Sequence, residues 1–150
     1  MIAKCSSFGV ANAGDFFRQI VLPQYADFLA DNSSPRHALL VIIVAYHMYE
    51  WVHRRKFEVS HFESMYPSNK ALANVFELAR NITNGTKHFR PKAQTRTQGG
   101  FSSGFSSGFG KGFARPRLIV TISDGTEQSA DDFLRQIVDF WRQQESAGAF

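Results

Sequence analysis

The chain is poor in cysteine and in long apolar runs, and each shortage excludes something. One cysteine among 150 residues, Cys5, rules out an internal disulfide framework and any zinc site built from several thiolates. The longest apolar run, Ala38 to Tyr46, is nine residues, far below the roughly 20 that a membrane span needs. The opening MIAKCSSFGVANAG holds no apolar stretch of signal-peptide length, so a cytoplasmic protein with no membrane partner is expected. A nucleotide loop is also missing, because Gly110-Lys111 is followed by Gly112 where Ser or Thr must meet magnesium.

What is present suits one globular domain over residues 1–150, with 43% hydrophobic and 20% charged residues. The net charge of +4 admits an anionic partner. The basic residues are spread along the chain, with local concentrations at His53-Arg54-Arg55-Lys56 and between Lys87 and Arg96.

Apolar spacing predicts a helix from about Asn12 to Asp31, carrying Phe17, Ile20, Val21, Tyr25, Phe28 and Leu29 on one stripe and kinked or divided in two near Pro23. Ser34 as cap and Pro35 at the first position open a second helix reaching about Lys56. Its half HALLVIIVAY is apolar on nearly every side and belongs in the middle of the domain. A connection from Phe57 to Pro67, with a short helical turn, leads to a third helix from Ser68 to Phe89. There Gly85 weakens the last turn by up to about 1 kcal/mol relative to Ala.

Residues 90–122 read as a hairpin. Thr95–Gln98 pairs with the strand RLIVTI at 117–122, around a tip built on a repeated Gly-Phe-Ser-Ser. Ser129 caps the last helix, which runs to about Gln144. DFFRQIV at 15–21 matches DFLRQIV at 132–138 in six of seven positions, which suggests equivalent places for two helices. The fold expected is mainly α: an up-down four-helix bundle with a β-hairpin inserted between helices three and four.

Two Glu-x-x-His motifs, Glu50 to His53 and Glu58 to His61, have the spacing of di-iron carboxylate bundles. They lie eight residues apart and the other helices offer no inward glutamate, so neither metal nor cofactor is expected. The third helix carries Arg80, Asn84 and His88 four apart on one face, with Asn81 and Lys87 beside them. His47 and Arg54 on the second helix are placed to join that group. Arg and Asn suit a charged phosphorane and imidazole suits proton transfer near neutral pH; equally, the same residues serve as a solvated face with His88 at the helix C-terminus.

A four-helix bundle with Arg80-Asn81 followed late in the same helix by His88 resembles the HEPN superfamily, whose members include ribonucleases of toxin–antitoxin and phage-defence systems. Seven residues separate Arg80 from His88 here, a longer interval than the family's usual one. The resemblance implies RNA binding or metal-independent RNA cleavage, with Arg80, Asn84 and His88 catalytic, Lys87, Asn81, His47 and Arg54 binding, and a homodimer bringing two sites together. The alternative, from another class, is a non-catalytic interaction module that binds a protein partner through the Phe-rich hairpin.

Overall fold

The computed structural model describes residues 5–88, 93–98, 117–122 and 125–150. It is mainly helical, with a small three-stranded antiparallel sheet. The first helical rod is capped reciprocally: Asn12 Oδ1 accepts from Asp15 N at 2.8 Å, and Asp15 Oδ2 accepts from Ala11 N at 3.1 Å. It then runs as α1 (Ala13–Phe16), a π-helical turn (Phe17–Val21) and α2 (Leu22–Ala30). The expected disturbance near Pro23 is this wide turn. Proline has no N–H and its ring would strike the carbonyl of Gln19 in a regular α-helix; widening the turn just before it relieves both.

α3 (Pro35–His53) begins as its sequence dictates, with Ser34 Oγ accepting from His37 N at 3.3 Å. It ends three residues sooner than Lys56, because Arg54 adopts a left-handed backbone with φ of 57°. After α4 (Val59–Met65) comes a tighter 3-10 segment, Pro67–Leu72, and only then α5 (Ala73–His88). Ser68 therefore does not cap the third long helix, since Pro67 starts a separate tight turn whose Asn69 departs from helical geometry. Gly85 does not break α5; it is buried on the packed side, and the helix continues through it to His88. Phe89 lies outside the described residues.

β1 (Thr95–Gln98) pairs antiparallel with β2 (Arg117–Thr121), from Thr95 opposite Val120 to Gln98 opposite Arg117, as the sequence suggested. The Gly-Phe-Ser-Ser tip lies outside the described residues. Corrected is the strand count: β3 (Glu127–Ser129) joins the other edge of β2, and Arg96 reaches across to Glu127 at 2.6 Å. Glu-Gln-Ser has no strand preference of its own, and it is the open edge of β2 that recruits it. α6 (Ala130–Ser146) follows at once, with Ser129 Oγ accepting from Asp132 N at 3.2 Å. In the two matching heptapeptides, Phe17 and Val21 are buried like their counterparts Leu134 and Val138.

The core is aromatic and centres on α3, against which the first rod, α5 and α6 pack. Tyr49, Phe62, Phe76 and Trp141 are fully buried, with Phe140 nearly so. Phe76 alone meets the rings of Phe57, Phe62, Phe140 and Trp141 at centroid separations between 5.0 and 5.8 Å. Trp141 satisfies its indole N–H on Ala45 O at 3.1 Å, fixing α6 to α3. Truncating Phe76 to Ala should destabilise the chain by about 3–5 kcal/mol, because close-packed rings collapse poorly into the void. Urea unfolding followed by circular dichroism checks this: the midpoint falls while the folded spectrum is retained.

Candidate functional site

α5 carries five of the residues singled out from sequence, Arg80, Asn81, Asn84, Lys87 and His88, but it does not gather them at one place. Arg80 folds back on Glu77, with Nε to Oε2 at 2.9 Å and a terminal nitrogen to Oε1 at 2.5 Å. That hydrogen-bonded pairing raises the guanidinium pKa above its ordinary value. It also turns the group towards the N-terminal end of α5, away from His88. Eight residues of helix put Arg80 and His88 about 12 Å apart along the axis. Asn84 is half-buried, while Lys87 and His88 are exposed on the last turn. Asn81 lines a different cleft, of about 430 Å³, with Glu77, Gln94 and Thr121.

His47 and Arg54 do come together. They share a hollow of about 460 Å³ with Phe16, Val44, Glu50 and Trp51. His47 Nδ1 lies 3.8 Å from Glu50 Oε2, an ion pair only when the imidazole is protonated. The Phe16 and Trp51 rings, both lining the hollow, stack on one another at 5.0 Å and 18°. Towards α5, burial and the Glu50 carboxylate push the Tyr46 hydroxyl pKa up, against the nearby Arg80.

The densest chemistry lies at the corner between α3 and α4, where sequence reasoning placed no site. Tyr49 Oη is hydrogen-bonded to His61 Nδ1, and His53 Nε2 to Tyr66 Oη at 2.7 Å. The two imidazoles meet edge to face at 5.1 Å, and His53 lies 4.4 Å from the Tyr49 ring. Burial, then the neighbouring His61 and Arg55, hold His53 down to about 4. His61 is also lowered, by burial and Arg55, with Glu58 opposing. Burial pushes both tyrosines up to about 12. At neutral pH the corner thus holds two neutral imidazoles and two protonated phenols. The exposed run Arg54-Arg55-Lys56 forms the turn between them.

These histidines belong to the two Glu-x-x-His motifs, so their spacing was the available signal. The motifs divide, however: Glu50 turns to His47 and Glu58 to Arg55 at 3.6 Å, leaving the histidines to tyrosines. Among the described residues no three His, Cys, Asp or Glu side chains converge as a metal-ligand set, and no helix is long and apolar enough to cross a membrane. The glycine-rich repeat also spells Gly-x-Ser-x-Gly twice, at 100–104 and 104–108, outside the described residues. No family model, curated protein or solved structure matches the chain.

The depressed His53 pKa couples folding to acid. Below 6.5 the unfolded chain binds the proton that the folded chain refuses until about 4, so stability falls as pH falls through that window. His61, Arg55, Tyr49 and Tyr66 are the polar groups facing the ring, and none is an anion that reverses the sign. Urea midpoints measured across the window should drop less for His53→Gln than for the native chain. Parallel curves for the two would contradict this origin.

Proposed function

We propose that the protein binds RNA and cleaves it without a metal ion, as an HEPN-like helical bundle. In this reading the four long helices are the rod from 13 to 30, α3, α5 and α6, with the hairpin between the last two. The observation that supports it best is the corner itself: two histidines kept neutral beside Arg55, which Arg54 and Lys56 flank in an exposed basic turn. A base for the 2′-hydroxyl must be unprotonated at working pH and held in position. His61 has both properties, since its pKa is lowered and Tyr49 fixes its ring.

The chemistry follows from those groups. His61 Nε2 accepts the 2′-hydroxyl proton, while its Nδ1–H donates to Tyr49 Oη. The freed oxygen attacks the adjacent phosphorus, and the bond to the 5′-oxygen breaks, with water supplying the departing oxygen's proton. Arg54, Arg55 and Lys56 bind the phosphate and stabilise the charge that builds on it. His53, tied to Tyr66, is a positioning residue: it packs edge-on against His61 and keeps that ring in register. Asn84, Lys87 and His88 extend the RNA-binding surface along α5, whereas Arg80, engaged by Glu77, serves the helix rather than the phosphate.

Two variants test this reading. His61→Asn keeps a hydrogen-bonding atom near the position of Nδ1, so Tyr49 stays partnered, but removes the titrating ring. Cleavage of single-stranded RNA in a chelator should fall at least about 100-fold, with the melting temperature nearly unchanged. Native protein that leaves the RNA intact sinks the catalytic reading. Arg54→Gly separates binding from stability. Glycine tolerates the left-handed backbone that costs arginine about 1 kcal/mol, so the variant should melt higher yet bind RNA more weakly. Unchanged RNA affinity would remove Arg54 from the binding surface.

A further inference from the structure

The hollow beside the corner shares Arg54 with the cleavage reading, which makes no use of its aromatic lining or of Glu50. It is lined by Phe16 and Trp51, stacked on one another, by Val44, and by the polar side chains of His47, Glu50 and Arg54. Phe16, Val44 and Trp51 all back onto the hydrophobic core, so this aromatic surface is rigid and already in place. His47 and Glu50 keep 42% and 41% of their side-chain surface open to solvent. Aromatic and apolar side chains beside one carboxylate and one guanidinium suit a flat ligand that carries hydrogen-bond donors and an anion.

We infer that this hollow is a nucleobase subsite for single-stranded RNA, preferring guanine, with the base against Trp51 and Val44, its donor edge on Glu50 and its phosphate on Arg54. Bases of single-stranded RNA are recognised by stacking on aromatic rings and by bonds to the Watson–Crick edge. Guanine presents two adjacent N–H donors there, N1–H and the 2-amino group, and a carboxylate accepts both with its two oxygens. Adenine and cytosine present one amino group and uracil one ring N–H. The inference rests on the RNA reading and deepens it. Arg54 ends α3 and lines the hollow, and the next residue, Arg55, is the cation beside His61, so one turn contributes to both places.

The chain's two tryptophans provide the readout. Trp141 is fully buried with its indole N–H on Ala45 O, so its signal is an internal reference, whereas Trp51 borders the hollow. The full chain labelled with nitrogen-15 is titrated with GMP, AMP, CMP, UMP and inorganic phosphate while both indole N–H signals are followed. The expected result is a saturable shift of Trp51 alone, reached with GMP at about tenfold lower concentration than with the others. In Glu50→Gln that preference should disappear while weak nucleotide binding persists. No movement of Trp51 with any nucleotide, or as large a movement with inorganic phosphate, overturns the subsite. Equal movement with all four overturns its guanine preference. The RNA-cleavage assay on His61→Asn is separate, so GMP binding without any cleavage leaves the subsite standing and removes only the catalytic reading.

Discussion

The structure depends on one awkward residue. Tyr49 has no exposed surface and its ring lies among Phe57, Phe62, Phe76 and Trp141, yet it carries a hydroxyl that cannot be left without a partner. An unpaired buried hydroxyl costs about 1–3 kcal/mol. His61 supplies the partner from α4, and that requirement draws the short helix against the end of α3. Once His61 is there, His53 is confined between it and Tyr66. The desolvation that makes the aromatic core stable is therefore also what keeps both imidazoles neutral. Packing and chemistry at this corner have a single origin.

The chain must also reverse sharply after His53 for α4 to reach Tyr49. It does so at Arg54, whose left-handed backbone is uncommon for a side-chain-bearing residue and whose N–H bonds to Glu50 O at 2.8 Å. A glycine there would serve the turn better. An arginine in that strained position, followed by Arg55 and Lys56, puts three cations where the backbone reverses, between the hollow on one side and the histidines on the other.

Much of the scaffold was legible in the sequence, because it rests on local signals. Ser34-Pro35 and Ser129 mark helix starts by chemistry confined to four residues. Thr95–Gln98 and Arg117–Thr121 announce their pairing by composition. What was illegible depended on distant partners. β3 exists because β2 has a free edge, and the π-helical turn answers a carbonyl four residues before Pro23. The histidine–tyrosine corner between α3 and α4 was illegible for a related reason. Arg80, Asn84 and His88 share a helical face, but face-sharing does not reveal that Glu77 occupies the guanidinium. Helical spacing does not single out Tyr49, and nothing local shows that its hydroxyl selects His61. The duplicated Glu-x-x-His pointed at both histidines, and only the fold showed that tyrosines, not glutamates, hold them.

The most direct test of this account is the coupling between Tyr49 and His61. Tyr49→Phe, His61→Ala and the double variant form a cycle whose unfolding free energies isolate that one contact. The account predicts a coupling of about 1–3 kcal/mol, because His61→Ala orphans the hydroxyl in native protein but not in the Tyr49→Phe background. Additive effects, with no coupling between the two sites, would contradict it.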